Sequence, residues 1–269
     1  MSLQRTITPI APLLDAPSLQ AGLDNEGLWG EVVEIDQHID QYQNGFAFVR
    51  LSDGYQGWMP IDCLDCASAR NTLKTIPEIK ATAMVIVPMS HVTSGPDIKT
   101  PGLFTLSLGS RVMVLDADDM TTKIAIMSDH SAGADVGFVP TAHIMPLSDR
   151  ANDWVSIAEA LIGSPYKWGG RSAFGLDCSA LVQLALAAGG VAITRDSGPQ
   201  EDSGLAIVAG DKLQRGDLVF WRRHVGIMRD ESQLLHANAH HMAVASEPLS
   251  LASQRIADSA GPITSFRRP

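Results

Sequence analysis

Residues 178–188 are apolar on nearly every side, and this constrains the fold more than any other segment. Apart from one serine and one glutamine, the run CSALVQLALAA contains only alanine, leucine, valine and the leading cysteine. Alanine and leucine favour a helix, and a helix without a polar face has to be surrounded by other elements. A glycine-rich loop precedes the run and two glycines follow it. We therefore predict a buried helix inside an α+β unit.

The thiol of Cys178 stands at the start of this helix. Unpaired backbone N–H groups and the helix dipole at that end favour a thiolate. Two histidines follow in strand-like segments, His224 and His236. A thiol at a helix start with a downstream imidazole is the combination that cysteine nucleophiles require. The sequence therefore predicts Cys178 as a nucleophile.

The spacing of the two histidines predicts that they meet. If their strands form a hairpin centred on Asp230, His224 lies opposite His236 with the Cβ atoms about 5 Å apart. In that geometry His224 acts as the base towards Cys178, while His236 orients it and fixes its tautomer.

A metal site is the alternative use of the same residue types. A zinc site would draw its ligands from Cys178, His224, His236 and His240 or His241. The ligand spacing is poor for zinc. Cys63 and Cys66 form a lone C-x-x-C, and neither a second C-x-x-C nor a spaced histidine pair accompanies it to complete a zinc site. We therefore expect reduced thiols, no metal and no cofactor.

Composition restricts the partners. The net charge of −10 argues against nucleic acid and against anionic membranes, because both require a basic surface. The N-terminus has no apolar core of signal-peptide length, and no apolar run is long enough to span a bilayer. We therefore expect a cytoplasmic monomer.

The first half of the chain contains a faint repeat. Residues 57–60 (GWMP) resemble residues 137–140 (GFVP), and residues 30–35 resemble residues 109–114. Apolar and polar residues alternate in these blocks, which glycine, aspartate and proline interrupt, as is typical of short strands in small barrels. The predicted units are an all-β unit at 1–75, a second all-β unit at 76–148 and an α+β unit at 149–269.

Three segments of the last unit resemble motifs of the NlpC-type cell-wall cysteine peptidases. Residues 165–181 resemble the nucleophile motif, residues 216–227 the histidine motif and residues 235–237 the third catalytic position. The resemblance implies a papain-like fold behind two bacterial SH3-like barrels. It also implies hydrolysis of the bond between γ-D-glutamate and an L-diamino acid, diaminopimelate or lysine.

A subgroup with such barrels trims free muropeptides during murein recycling or turnover. The resemblance implies that the partner is a muropeptide with a free N-terminal L-Ala and that L-Ala-γ-D-Glu is released. It further implies a substrate-binding set: Asp177, Ser179, Arg195, Asp196, Ser197 and Tyr166, with Glu31 and Tyr55 from the first barrel. In this set Ser197 would hold the glutamate carboxylate, Tyr166 would face the oxyanion, and Asp196, Glu31 and Tyr55 would bind the amine.

Three alternatives remain open from the sequence. The same fold serves amidases and acyltransferases with other substrates, and a barrel protein with an inactive third unit would only bind cell-wall peptides. In the third alternative the protein is a redox protein that uses Cys63 and Cys66. The presence of Cys178, His224 and His236 favours an enzyme.

Overall fold

The computed structural model describes residues 2–35, 42–65, 81–126, 136–208 and 211–269. It divides into two compact units, Met1–Asp149 and Arg150–Pro269. The boundary expected at residue 75 and the thiol of Cys66 lie outside the described residues. Within the described ranges, no helix has the length and apolarity needed to cross a membrane.

The first unit begins with a seven-stranded antiparallel sheet. Its strands run in the order β1-β4-β6-β7-β2-β3, with β5 paired to β6. Alternate residues of these strands, among them Leu13, Val33, Val49 and Met59, point into a common core. The strands are β1 (Ser2–Arg5), β2 (Ile10–Leu14), β3 (Leu23–Leu28), β4 (Val32–Ile35), β5 (Tyr42–Gln43), β6 (Phe46–Leu51) and β7 (Gln56–Pro60).

The same unit continues with two smaller sheets, ordered β10-β9-β14-β13-β12 and β11-β8-β15. Their core contains Val92, Leu106 and Ile124, and Trp29 joins it by stacking on Phe104 at 4.7 Å between ring centroids. The strands are β8 (Ala83–Val85), β9 (Met89–Thr93), β10 (Gly102–Ser107), β11 (Arg111–Val112), β12 (Val114–Ala117), β13 (Thr121–Ala125), β14 (Val136–Pro140) and β15 (Ile144–Pro146).

The repeat in the sequence corresponds to a repeated local structure. Its two blocks lie in β7 and β14, and each strand runs into a single-turn 3-10 helix, Ile61–Cys63 or Thr141–His143. Gly30 and Gly109, at the start of the other repeated blocks, have φ of 75° and 90°. Glycine adopts such angles without steric cost. Small antiparallel sheets therefore lie on both sides of residues 66–80, and the division into two separate β units stays a prediction.

The second unit has the predicted α+β plan. A six-stranded antiparallel sheet in the order β18-β23-β19-β20-β21-β22 packs against α2 through β20 and β21. The helices are α1 (Trp154–Glu159), α2 (Cys178–Ala188), α3 (Ser197–Gln200) and α4 (Leu249–Ala260). The strands are β16 (Arg171–Ser172), β17 (Gly175–Leu176), β18 (Leu205–Ala206), β19 (Leu218–Trp221), β20 (His224–Met228), β21 (Gln233–Asn238), β22 (Ala243–Pro248) and β23 (Ser265–Arg268).

Helix α2 is buried as its composition predicts. All of its residues except Ala187 are buried. Its N-cap is Asp177, whose carboxylate accepts a hydrogen bond from the Ala180 N–H at 3.0 Å. Such a cap satisfies one of the unpaired N–H groups at the helix start and stabilises the helix by about 1 kcal/mol. The packing of α2 on β20 brings the helix start close to the first histidine strand.

Candidate active site

The thiol of Cys178 is placed by the loop that precedes α2. Cys178 is the first residue of the helix and is 8% exposed. Its sulfur lies beside the backbone N–H groups of Val225 and Ser179, which favour the thiolate. Val225 follows His224 in β20, so the sulfur lies next to the backbone of the histidine strand. The start of α2 and the backbone of β20 therefore lie side by side, as the proposed roles of Cys178 and His224 require.

The charge state expected for this thiol was wrong. Burial, followed by the negative charge of Asp177, raises the pKa of Cys178 to about 12 despite the two N–H groups. The helix start cannot overcome the loss of solvation and the carboxylate beside it. At neutral pH the resting sulfur is therefore a thiol, and a base has to remove its proton as it attacks.

The two histidine rings are in contact, as predicted. The Nε2 atom of His224 lies 2.8 Å from the Nδ1 atom of His236, with ring centroids 5.0 Å apart. The predicted register was wrong, since Ile227 pairs with Leu235 and not with a residue closer to the turn. The rings meet diagonally across β20 and β21.

Gly226 makes this diagonal contact sterically acceptable. A Cβ atom at that position would lie 2.6 Å from Cδ1 of Leu234 and 3.3 Å from Cβ of His236. The turn lies one residue later than predicted, because the N–H of Arg229 donates to the carbonyl of Gln233 at 2.8 Å. The histidine pairing was thus predicted correctly, through an incorrect turn.

Both rings are neutral at pH 7. Burial lowers the pKa of His224 to about 3, with further lowering by the charges of His236 and Arg255. Burial also lowers the pKa of His236 to about 4, and Glu247 opposes this only in part. A neutral imidazole at His224 can accept a proton.

Two residues beyond the predicted set extend the histidine pair. Oε1 of Glu247 lies 2.9 Å from Nε2 of His236. Arg255 donates to both carboxylate oxygens of Glu247, one of these bonds having Nη1 to Oε2 at 2.7 Å. No motif marks these residues in the sequence. Glu247 becomes visible only when β22 is paired with β21, and Arg255 only when α4 is folded back onto the sheet.

Three residues of the predicted substrate-binding set form a buried cluster with one another. The guanidinium of Arg195 donates to both carboxylate oxygens of Asp177, at 2.8 and 2.7 Å. It also donates to the Ser179 hydroxyl at 2.9 Å and to the Gly170 carbonyl at 3.2 Å. Asp177 further accepts from the Gly169 N–H at 3.1 Å. The cluster holds the glycine-rich loop against the start of α2, so its members already have partners within the protein.

The remaining predicted residues of the second unit surround this cluster. Tyr166 is half-buried, and burial followed by the charges of Cys178 and Asp177 raises its pKa to about 12, so its hydroxyl stays protonated. Asp196 is exposed at the N-cap of α3, and Ser197 is half-buried in its first turn.

Glu31 and Tyr55 lie in the first unit. The carboxylate of Glu31 accepts from the Leu28 N–H at 2.8 Å and so closes the turn between β3 and β4. Tyr55 is half-buried against the core of the first sheet. Their assignment to an amine pocket stays a prediction.

The geometry does not favour the zinc alternative. In the described part of the chain, ligand atoms within 4.8 Å of one another are offered by His236, His241 and Glu247, a group without Cys178. His236 and Glu247 are hydrogen-bonded to each other, and Arg255 places a positive charge on the same carboxylate. A cation is repelled by that arginine.

The fold and the site together define a class. The thiol lies beside the strand that carries a neutral imidazole, and this imidazole is hydrogen-bonded to a second histidine ring. Such an arrangement is suited to nucleophilic attack on an acyl carbon. The second unit is therefore that of a cysteine hydrolase with an antiparallel sheet and a helix-borne sulfur.

Comparisons with known proteins agree with this class. Residues 163–257 match the NlpC/P60 family, and residues 13–64 match the bacterial dipeptidyl-peptidase Sh3 domain. Dipeptidyl-peptidase 6 of Lysinibacillus sphaericus is 29% identical over 241 residues, covering 86% of each chain. A gamma-D-glutamyl-L-lysine dipeptidyl-peptidase of Bacillus cereus is 27% identical over 242 residues, which are 84% of this chain and 71% of that one.

A solved structure supports the same architecture. An NlpC/P60 family protein from Bacillus cereus superposes with a TM-score of 0.80 at 20% identity, covering 99% of both chains. The chain is an NlpC/P60 cysteine peptidase with a bacterial SH3 domain, a hydrolase that acts on peptidoglycan peptides.

Proposed function

We propose that this enzyme is a dipeptidyl peptidase that cleaves the γ-D-glutamyl bond to an L-diamino acid in free cell-wall peptides. The substrate has an unblocked N-terminal L-Ala, and L-Ala-γ-D-Glu is released during murein peptide recycling or turnover. The similarity to relatives named dipeptidyl-peptidases extends over both units and supports an exopeptidase-like activity.

The observation that carries this proposal is the line of groups behind the sulfur. Cys178 lies beside the strand of His224, and the Nε2 atom of His224 is bonded to His236 at 2.8 Å. Nε2 is thereby occupied, which leaves Nδ1 of His224 to exchange protons with the thiol. Cys178 is accordingly proposed as the nucleophile, His224 as the general base and acid, and His236 as the residue that orients it.

The reaction follows from these roles. The Cys178 sulfur bonds to the γ-carbonyl carbon of D-glutamate while its proton passes to Nδ1 of His224. The carbon–nitrogen bond then breaks, and His224 gives that proton to the departing amine of the diamino acid. A water molecule then attacks the thioester carbon and loses a proton to His224. The carbon–sulfur bond breaks, the dipeptide leaves, and His224 returns the proton to the Cys178 sulfur.

The negative charge on the carbonyl oxygen requires donors. The backbone N–H of Cys178 and the hydroxyl of Tyr166 are the proposed donors, because the charge of Cys178 acts on Tyr166 and the Tyr166 hydroxyl stays protonated. A single donor of this kind stabilises the transition state by about 3 kcal/mol. Because the thiol is neutral at rest, this stabilisation is needed to make the combined proton transfer and attack fast.

Substrate selection is proposed to rest on charge. The ammonium of L-Ala would pair with the exposed carboxylate of Asp196. The half-buried hydroxyl of Ser197 would donate a hydrogen bond to the glutamate carboxylate. Peptides still attached to glycan lack the free ammonium, so they would lose this ion pair and bind poorly.

Mass spectrometry of the products tests the proposal. The full chain is incubated with L-Ala-γ-D-Glu-diaminopimelate, the lysine analogue and the N-acetylated form of each. We expect L-Ala-γ-D-Glu from the free peptides and a loss of at least two orders of magnitude for the acetylated ones. Equal turnover of free and acetylated peptides would rule out recognition of the amine.

Two cysteine variants provide the matched comparison. Cys178→Ala is expected to abolish hydrolysis. Cys63→Ser changes a cysteine of the first unit, outside the proposed site, and is expected to retain full activity. Turnover that survives in Cys178→Ala would contradict the assignment of the nucleophile.

A further inference from the structure

We propose that Glu247 is a positioning residue that sets the tautomer of His224 through His236. This inference rests on the proposed function, in which His224 is the base. It adds a fourth and a fifth group, Glu247 and Arg255, to the three that the sequence predicts.

The contacts form an unbroken line from the sheet to helix α4. His224 Nε2 meets His236 Nδ1 at 2.8 Å, and His236 Nε2 meets Glu247 Oε1 at 2.9 Å. Arg255 binds both oxygens of Glu247 from α4. The His236 side chain is 0% exposed and that of Glu247 is 11% exposed. Water therefore has little access to either bond.

The donor and acceptor roles along this line follow from the carboxylate. An ionised carboxylate only accepts hydrogen bonds, so His236 has to carry its proton on Nε2. The pKa of Glu247 is lowered to about 2 by its hydrogen bonds with Arg255, so the carboxylate is ionised at neutral pH. A neutral His236 with its proton on Nε2 has an unprotonated Nδ1, which must accept from His224.

The consequence reaches the reacting atoms. His224 has to place its proton on Nε2 in order to donate to His236, so its lone pair is on Nδ1. Nδ1 is the nitrogen that receives the thiol proton in the proposed mechanism. A histidine in the third catalytic position is ambiguous, because each of its nitrogens can donate or accept. Glu247 removes this ambiguity.

Arg255 fixes the carboxylate and balances its charge. The other titratable groups facing the pair are few in the described residues around it: His224 on β20 and His241, whose Nδ1 lies 3.9 Å from Oε1 of Glu247. The arginine lets Glu247 orient His236 while the charge of Arg255 disfavours an imidazolium in both rings. The relay thus stays neutral at rest.

The variant Glu247→Gln tests the proposal, because it keeps the shape and changes the donor pattern. Arg255 would hold the amide oxygen, which turns the amide N–H towards Nε2 of His236. The proton of His236 then moves to Nδ1, and His224 is left with its proton on the wrong nitrogen. We expect kcat to fall about 10²–10³-fold with little change in KM, below the roughly 10⁴-fold effect of a carboxylate that contacts the base directly.

Two further measurements separate this role from a structural one. In a His236→Asn background, Glu247→Gln should change kcat less than about threefold, and Glu247→Asp in the otherwise unchanged chain should restore part of the activity. The ¹⁵N shifts of His224 should report a proton on Nε2 in the unchanged protein and on Nδ1 in Glu247→Gln. Thermal unfolding checks that each variant is folded.

The outcomes are distinguishable. Unchanged kcat in Glu247→Gln, an equal loss in the His236→Asn background, or a His224 proton on Nδ1 in the unchanged protein would each overturn the proposal. The ¹⁵N measurement needs no substrate. If γ-D-glutamyl peptides are not cleaved while the shifts are as expected, the proposed substrate is wrong and the relay stands.

Discussion

Replacing Arg195 with glutamine would remove the cation around which the start of α2 is built. The Arg195 side chain is 1% exposed and that of its partner Asp177 is 12% exposed. The change deletes two charge-assisted bonds to Asp177 and the bonds to Ser179 and Gly170, and it leaves a carboxylate almost without solvent. Asp177 is also the N-cap of the helix that carries Cys178, so we expect both stability and activity to fall.

The size of the effect follows from burial. Removing one partner of a buried ion pair costs about 3–5 kcal/mol, because the remaining charge is unpaired. For a unit of this size, residues Arg150–Pro269, this corresponds to a fall in Tm of about 10–20 °C. Differential scanning calorimetry of the full chain measures it. A fall of less than about 3 °C would refute the argument that the ion pair holds the loop.

An exposed arginine of the same unit is the matched control. Arg215 also binds two carboxylates, Asp153 and Glu159, but its side chain is 36% exposed. Exposed ion pairs contribute about 0–1 kcal/mol each. Arg215→Gln should therefore lower Tm by only a few degrees, and a loss as large as that of Arg195→Gln would show that burial does not decide the effect.

Three more predictions concern the site itself. Burial lowers the pKa of His224, so this base is protonated only at acid pH. The acid limb of the pH profile of kcat/KM should therefore have its midpoint well below the ordinary histidine pKa of about 6.5. A midpoint at or above that pH would contradict the lowered pKa. Because the pKa of Cys178 is raised, iodoacetamide should alkylate it slowly at pH 7 and faster towards alkaline pH; rapid alkylation, independent of pH between 6 and 8, would show a resting thiolate. Gly226→Ala would press a methyl group against Leu234 and His236. It should lower kcat more than tenfold and destabilise the protein by about 1–3 kcal/mol. Unchanged kinetics would show that the contact between the two histidine rings tolerates a shift of the strands.

The sequence predicts those features that depend on local pattern. The apolar run of α2 led to a buried helix, and the repeated GWMP and GFVP blocks led to repeated β structure with the same 3-10 turn. Both predictions depend on residues close together in the chain. The ring contact between His224 and His236 was also predicted, because a hairpin brings neighbouring strands together.

Features that depend on strand register and on tertiary packing could not be predicted from the sequence. A one-residue shift of the turn moves the pairing of β20 and β21 by two positions. The rings of His224 and His236 still meet because the position between the two strands at their contact is Gly226, which has no side chain. Glu247 and Arg255 are distant in sequence from the thiol and carry no motif. The state of Cys178 depends on its burial, a property of the folded unit that the helix-start argument could not supply.

Rapid quenching during turnover tests the central claim most directly. Full chain mixed with L-Ala-γ-D-Glu-diaminopimelate is quenched in acid, digested and mapped by mass spectrometry. We predict an adduct with the mass of L-Ala-γ-D-Glu less one water, joined through a thioester to the peptide that contains Cys178. An adduct on another residue, or undiminished turnover by Cys178→Ala, would contradict the account.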